Sequence, residues 1–200
     1  MSYIFIDTTS GVHLGLWSKE KSWISFNSYE TARGSTILHS KIFEILEKNN
    51  VLIKNLHGVI QISGPGSYTG MRLSAGLTDI LNWQGMTTLG IYHYEIPSLV
   101  GIAEGNWVCK AFKNEYLCYT WNKNGNSKEL LTKEQMINKI NSETYTHHQS
   151  EWSFDLKVKS SLELLKDKAD DLFAIVIKQK LNRELYYFRE IAQEFSKPKI

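Results

Sequence analysis

The chain is poor in cysteine and in charge of one sign. It contains only two cysteines among 200 residues, too few for a disulfide framework or a cysteine-rich zinc site. Its 23 basic and 21 acidic residues leave a net charge of +2, which is too small for a protein that binds bare duplex mainly by neutralising phosphates. Because 42% of the residues are hydrophobic, the composition fits a globular protein with a substantial core.

The sequence also lacks long apolar runs. No stretch approaches 18 apolar residues, and the first residues have neither the basic part nor the apolar run of a secretory signal. We therefore expect a cytoplasmic protein that has no membrane partner. In that compartment Cys109 and Cys118 are expected to be half-buried thiols. A hairpin that turns through residues 113 and 114 would place them opposite each other, so a disulfide between them stays open on geometry.

Hydrophobic patterning in residues 1–92 predicts strands and helices in the order β-β-β-α-β-α-β. Three alternating segments predict an antiparallel meander, and apolar residues at helical spacing follow at 38–46 and 73–81. A helix between two strands favours a parallel, right-handed crossover. We therefore expect an α/β fold with a mixed sheet and flanking helices.

Beyond residue 105 the pattern is weaker. It predicts a hairpin of residues 108–112 and 115–121, an irregular polar stretch over 122–151, and a helix with apolar positions near 169–176. Residues 173–177 alone could instead form a strand. We place a boundary near residues 101–105, so that residues 1–103 form an N-terminal lobe and residues 104–200 form a second lobe.

Residues 64–72, which read GPGSYTGMR, are the most informative segment. Three glycines and a proline predict a tight turn from a strand into a helix, with positive φ available. The backbone amides at such a helix start can bind an anion, but the Gly-Lys-Ser/Thr ending of a P-loop is missing. The segment therefore predicts either a structural turn or an anion-binding phosphate cradle, built from Gly64, Gly66, Ser67, Thr69, Gly70 and Arg72.

Asp7 and Thr8 end the first predicted strand, and two more hydroxyl residues follow them. A carboxylate beside hydroxyls can hold a hydrated Mg²⁺ and a nucleotide phosphate. The same residues can instead build a turn, because Asp and Thr side chains bond to nearby backbone groups. Both interpretations stay open on these residues alone.

Three segments in this order resemble the bacterial TsaB family, which is also called YeaZ. They are residues 6–9, which read IDTT, His39 at the start of the first helix, and above all the turn at 64–72. Weaker support comes from residues 114–116 and 184–190. The resemblance is good over residues 1–105, thin over 106–121, absent over 122–160 and partial beyond.

The resemblance implies an actin-like ATPase (ribonuclease H-like) fold with a complete first lobe and a reduced second lobe. Family members are non-catalytic proteins needed to make threonylcarbamoyladenosine at position 37 of tRNAs that read ANN codons. They bind a catalytic threonylcarbamoyltransferase subunit (TsaD-like), and an accessory ATPase (TsaE-like) docks on that pair. The resemblance thus implies a scaffold without catalytic residues, cofactor or metal, which meets tRNA only through the complex. A homodimer of the free protein stays open.

The residues themselves also favour a chain that holds no metal. A metal-binding helix needs two histidines at i and i+4. The segment that resembles the catalytic relative's metal-binding stretch has His93 in the first place and Pro97 in the second, and proline offers no ligand atom. His93 with Glu95 is more typical of a packed or surface pair. The adjacent His147 and His148 have no evident third ligand.

We expect the partner to bind the two amphipathic helices. On the second helix, small side chains are predicted to face away from an apolar stripe and to let another helix approach; the stripe is Leu73, Leu77, Ile80 and Leu81. On the first helix, Phe43 would be costly to expose in a lone monomer. The predicted contact residues are Thr36, His39, Ser40, Phe43, Glu47, Met71, Ser74, Ala75 and Thr78.

The competing hypothesis is an ATP-dependent kinase or carbamoyl transferase of the same fold, in which Asp7 and the glycine turn hold phosphates. That enzyme needs a second acidic loop, but Asp167, Asp170 and Asp171 fall in a helical pattern. Direct tRNA binding is a third hypothesis, because basic residues are frequent after residue 156. Acidic residues are interleaved with most of them, which favours a solvated surface.

Overall fold

The computed structural model describes residues 1–29, 34–111, 114–140, 142–147 and 157–188. Within these ranges the chain forms two five-stranded sheets with flanking helices. His148 and residues 189–190, which the sequence analysis considered, lie outside the described residues. None of the helices in the described ranges combines the length and the apolar character needed to cross a membrane.

The first sheet and its helices occupy residues 2–91. The elements are β1 (Ser2–Asp7), β2 (Val12–Ser18), β3 (Ser22–Tyr29), α1 (Gly34–Lys48), β4 (Gly58–Ile62), α2 (Tyr68–Trp83) and β5 (Thr87–Ile91). The strand order is β3-β2-β1-β4-β5, with an antiparallel meander through β1, β2 and β3 and parallel pairing of β4 with both β1 and β5. The predicted element order and the parallel pairing are confirmed.

A short 3₁₀ turn (His93–Glu95) and helix α3 (Ile96–Leu99) lead to the second half. Its elements are β6 (Gly105–Lys110), β7 (Tyr116–Asn122), β8 (Gly125–Leu131), α4 (Lys133–Lys139), β9 (Thr144–Thr146), β10 (Val158–Ser160), α5 (Ser161–Asp167) and α6 (Ala169–Gln179). The strand order is β10-β9-β6-β7-β8, and β6 pairs with β7 antiparallel and with β9 parallel. The second sheet therefore repeats the topology of the first.

Two predictions for the second half are wrong. The described part of the stretch 122–151 is not irregular, because β8, α4 and β9 lie within it. Cys109 and Cys118 do not face each other, because Cys109 pairs with Leu117 and Cys118 pairs with Val108. Side chains alternate along strands, so the two thiols point to opposite faces of the sheet, where both are buried and neither is in a disulfide.

Both faces of the first sheet are covered, because successive side chains of β1 point to opposite faces. Ile4 and Ile6 pack with the apolar residues of α1 and α2, and Phe5 packs with α5 and α6 on the other face. Trp17 and Trp23 fix those last helices, since their indole N–H groups donate to Asp170 Oδ1 at 2.7 Å and to the Lys166 carbonyl at 3.0 Å. The predicted division at residue 103 stays a prediction, and these contacts cross it.

The segment after α6 returns to the first sheet as an added edge. The amide of Gly90 donates to the Leu181 carbonyl at 2.9 Å, and the amide of Arg183 donates to the Gly90 carbonyl at 3.0 Å. A Cβ at Gly90 would lie 2.7 Å from Ser63 Oγ and 3.1 Å from the backbone of Arg183. Only glycine lets the segment approach this closely.

Candidate functional site

The carboxyl end of β1 lies directly against the glycine turn at residues 64–70. Thr8 Oγ1 donates to the Gly70 carbonyl at 2.7 Å, and the amide of Ser67 donates to the Thr9 carbonyl at 2.8 Å. A Cβ added at Gly70 would lie 1.9 Å from the Thr8 carbonyl oxygen, and one at Gly66 would lie 2.5 Å from the Thr9 Cβ. These contacts favour the structural turn over the phosphate cradle, because the strand end fills the space beside the turn.

Positive φ contributes less to this turn than the sequence predicts. Among its three glycines, Gly64 alone has a positive φ, of 122°. Gly66 and Gly70 are required for close approach of two backbone segments rather than for a left-handed conformation. Ser67 caps α2, since its side chain accepts a hydrogen bond from the amide of Gly70.

The remaining residues of the turn do not point to an anion. Thr69 and Arg72 are exposed. The guanidinium of Arg72 lies 4.7 Å from the centre of the Tyr68 ring, and its hydrogen bond with Tyr187 raises its pKa. Arg72 therefore joins the start of α2 to the segment after α6.

Asp7 is buried and its carboxylate is bound by the protein itself. Oδ1 accepts from the amide of Thr9 at 2.9 Å and from its hydroxyl at 2.6 Å, and Oδ2 lies 3.0 Å from His93 Nε2. Burial would raise the pKa of Asp7, but the charge and hydrogen bond of His93, with smaller contributions from His13 and Thr9, hold it below its ordinary value. Asp7 is thus an ionised carboxylate that the protein has already paired.

His93 is the residue that sequence reasoning placed wrongly. Its side chain is fully buried beside Asp7, whereas Glu95 pairs instead with Arg183 at 2.8 Å. Burial lowers the pKa of His93, and the Asp7 carboxylate opposes that effect. The topology held a signal for this pairing: Asp7 follows β1 and His93 follows β5, and the carboxyl ends of parallel strands meet at one edge of a sheet.

The described residues offer no metal site at this edge. Across the ranges that the structure describes, no three His, Cys, Asp or Glu side chains are grouped so that they could hold an ion. Nε2 of His147, in the second half, bonds to the Pro65 carbonyl of the turn. What opposes the Mg²⁺ interpretation of Asp7 is that both of its carboxylate oxygens are already bonded, Oδ1 to Thr9 and Oδ2 to His93.

The first helix presents its faces as predicted. The core stripe is buried and consists of Leu38, Ile42, Ile45 and Leu46. The predicted contact residues of α1 are exposed, namely Thr36, His39, Ser40, Phe43 and Glu47. Phe43 has 67% of its surface exposed, which is unusual for a ring of this size.

The second helix buries side chains that were predicted to face outward. Met71, Ser74 and Thr78 do not face outward, since all three are buried against the sheet. Thr78 Oγ1 donates either to Gln61 Oε1 at 2.9 Å or to the Ser74 carbonyl at 2.6 Å, so a polar residue of β4 draws this face inward. Ile80, which was predicted to be core, is 53% exposed. The other three residues of the predicted stripe, all leucines, do pack against the core of the first sheet, so the stripe is confirmed except at Ile80.

An apolar groove of about 690 Å³ runs between α1, the loop after it and α2. We call it the helical groove; its lining is His39, Ile42, Phe43, Leu46, Glu47, Val51, Leu52, Ile53, Lys54 and Leu77. Leu52 and Ile53 expose about half of their surfaces. So many large apolar side chains at one surface are typical of a binding site.

Ala75 does not belong to the helical groove. It lines a separate cavity of about 290 Å³, together with Gln61, Asp79 and residues 182–185. This cavity faces the segment after α6. Helix α1 therefore supplies five residues of the groove lining and α2 supplies Leu77, whereas the small α2 residues that were predicted to meet a partner do not line it.

Two mixed sheets of the same topology, each flanked by helices, define the actin-like ATPase fold class. No protein-family model matches the chain, and no curated protein is a significant sequence match. Among solved structures, YeaZ from Pseudomonas aeruginosa is similar, with a TM-score of 0.61, 14% identity, and coverage of 92% of this chain and 100% of that one. A Pseudomonas aeruginosa protein described as similar to peptidase YEAZ gives a TM-score of 0.62 at 15% identity, with coverage of 92% and 99%. The chain thus has a YeaZ-like fold.

Proposed function

We propose that this chain is a non-catalytic subunit that binds a catalytic threonylcarbamoyltransferase subunit (TsaD-like) through the helical groove. In that role it is needed to form threonylcarbamoyladenosine at position 37 of tRNAs that read ANN codons. The observation that carries the proposal is the unpartnered apolar groove, with Phe43 at 67% exposure. Burying such a surface in a heterodimer removes it from water, which is favourable by about 25 cal/mol per Å² of apolar area.

The choice of partner comes from the resemblance rather than from the groove. The YeaZ-like fold supports a TsaB-type role coarsely, and the turn at 64–72 links the chain to that family more specifically. The accessory ATPase (TsaE-like) then binds the pair, and tRNA is met only through the complex. When the catalytic subunit is absent, a second copy of this chain can cover the same groove.

Two observations support a chain that is not itself an enzyme. Asp7 is committed to His93 and Thr9 instead of facing an open nucleotide site. Because the second sheet repeats the first, the position that matches Asp7 at the end of β1 is the end of β6, and Lys110 occupies it. A nucleotide site between the two halves would need an acidic residue from each half, and the second half does not supply one at this position.

The alternative is an ATP-dependent kinase or carbamoyl transferase of the same fold. It predicts sustained ATP turnover by the purified chain alone, and loss of that turnover in Asp7→Asn. Our proposal predicts no turnover when the chain is given ATP, Mg²⁺, tRNA, threonine and bicarbonate without the catalytic subunit. Turnover that depends on Asp7 would move the enzyme hypothesis to first place.

Binding itself is tested by calorimetry with the purified cognate catalytic subunit. We expect saturable association of the wild-type chain, and loss of that association when a charge is placed in the groove at Phe43. Copurification from cells should recover the same subunit. If the folded chain shows no association at micromolar concentrations, the proposed partner is wrong.

A further inference from the structure

A chain of buried hydrogen bonds joins the two sheets at the carboxyl end of β1. Asp7 Oδ2 lies 3.0 Å from His93 Nε2, and His93 Nδ1 lies 3.0 Å from Ser161 Oγ. Ser161 Oγ in turn lies 2.8 Å from the Thr146 carbonyl oxygen. Asp7 ends a strand of the first sheet, Thr146 ends a strand of the second, and Ser161 begins helix α5.

Each contact in this series needs one proton between its heavy atoms. The Thr146 carbonyl only accepts, whereas His93 and Ser161 can each donate or accept, so the direction of the His93–Ser161 bond follows the tautomer of His93. In either tautomer the buried Asp7 carboxylate keeps its bonds to His93 and Thr9, and these bonds offset the cost of burying its charge.

Ser161, the last side chain in this series of hydrogen bonds, also has partners on all sides of its hydroxyl. Its oxygen accepts from the indole N–H of Trp107 at 3.1 Å, and it lies 3.0 Å from His93 Nδ1 and 2.8 Å from the Thr146 carbonyl oxygen. The His93 ring is enclosed by the His147 ring, whose centre lies 4.7 Å away, and by the Trp107 ring at 6.1 Å. Residues from both sheets therefore hold each member in one orientation.

We infer that the Asp7–His93–Ser161 chain is a clasp that locks the two sheets and helix α5 in one fixed arrangement. The two halves cannot open relative to each other without breaking a hydrogen bond between buried groups, and a buried polar group left without its partner is costly. The inference does not depend on the proposed function. It assigns Asp7 to conformational control instead of nucleotide binding.

A hydrogen-bonded serine, histidine and aspartate also invite a hydrolytic interpretation, which the geometry opposes. Ser161 is fully buried, and its oxygen is enclosed by the Trp107 indole N–H at 3.1 Å and the Thr146 carbonyl oxygen at 2.8 Å, so a substrate carbonyl has no access to it. We therefore expect no reaction of Ser161 with a fluorophosphonate probe in the folded protein. Labelling of Ser161 would overturn the clasp.

A double-mutant cycle tests the connection between the two ends. Asp7→Asn and Ser161→Ala should each lower the free energy of unfolding, measured in urea. The loss in the double variant should be smaller than the sum of the two single losses, and the difference should correspond to about a tenfold change in the unfolding equilibrium constant. The matched control is Ser74→Ala, another fully buried serine, whose hydroxyl bonds within α2 to the Met71 carbonyl. Asp7→Asn with Ser74→Ala should be additive. If Asp7→Asn with Ser161→Ala is additive within about twofold, the two ends are not coupled and the clasp is wrong.

The fixed arrangement has a readout of its own. Spin labels at Lys48→Cys and Asn124→Cys, both exposed and one in each half, should give a narrow distance distribution that Ser161→Ala broadens. An equally narrow distribution in that variant would contradict the inference. Should the variants fail to fold, NMR of the wild type still tests it, because His93 should show a slowly exchanging proton on a ring nitrogen. A His93 ring with no protected proton on either nitrogen would overturn it.

Discussion

The carboxyl end of β1 and the helical groove differ in whether other parts of the protein cover and bond their side chains. At the end of β1, Asp7, His93 and Ser161 each bond to other protein groups and are sealed from water. In the groove, Phe43 and its neighbours face open space. Side chains that are buried and bonded to one another stabilise the fold, whereas an apolar surface that is left uncovered is available to bind another molecule.

The largest expected effect is on association through the groove. Phe43→Arg should leave the chain folded, because the side chain is already exposed, but it places an unpaired charge where apolar surfaces must meet. That costs several kcal/mol, so the dissociation constant for the catalytic subunit should rise roughly a thousandfold. Calorimetry measures the change, and circular dichroism checks the fold.

The matched control for this variant is Leu130→Arg. Leu130 is also an exposed apolar residue, with 37% of its surface accessible, but it lies on β8 in the second half. It should alter the affinity little. Equal losses in the two variants would mean that the groove is not the contact.

The next effect concerns the glycine turn that packs against the carboxyl end of β1. Gly70→Ala should lower stability by about 1–3 kcal/mol, because its Cβ would lie 1.9 Å from the Thr8 carbonyl oxygen and the backbone must move. Urea unfolding measures the loss. An unchanged midpoint would show that the turn is not packed against β1 as described.

A smaller effect is the acid dependence of stability that Asp7 contributes. Its pKa is lowered in the folded protein from the ordinary 3.8, so the unfolded chain takes up the proton first as the pH falls. This contribution is fully present above about pH 5 and is lost on acidification, with a slope of up to about 1.4 kcal/mol per pH unit. In Asp7→Asn the slope of stability against pH should be shallower, by about half a proton near pH 3.8 and by nearly one proton at about pH 3. Parallel slopes in the two proteins would contradict it.

The smallest expected effect is a gain. Gly76 lies in the same helix as Gly70 but is exposed, and a Cβ there would meet no atom within 4 Å. Gly76→Ala should therefore stabilise the chain by about 0.5–1 kcal/mol, since alanine loses less entropy than glycine on entering a helix. Opposite changes in stability at two glycines of one helix would show that the close packing against β1 is confined to the first turn of α2.

The sequence predicts the first sheet well and the faces of α2 poorly, for related physical reasons. Strong alternation and helical spacing mark the elements up to residue 91, and both follow from burial. The rule fails on α2 because Thr78 is drawn inward by Gln61, while Ile80 is left exposed. Gln61, a polar residue inside an apolar strand, was the available signal, since a buried amide needs a partner.

Other features could not be read from local patterns. Strand β8 is exposed along nearly its whole length, so its residues show no alternation. The cysteine register depends on one residue of loop length, because β6 ends at Lys110 and β7 begins at Tyr116. Asp7, His93 and Ser161 are far apart in the chain, and only the completed topology brings them together.

The order in which the chain is made gives the packing of α5 and α6 a further consequence. A ribosome releases all five strands of the first sheet before it makes the helices that cover the face around Phe5 and Trp17. During that interval one apolar face of a nascent sheet has no cover. The first half therefore cannot complete its folding during synthesis until residues 161–179 emerge, and chaperones that bind exposed apolar surface have their target in this window.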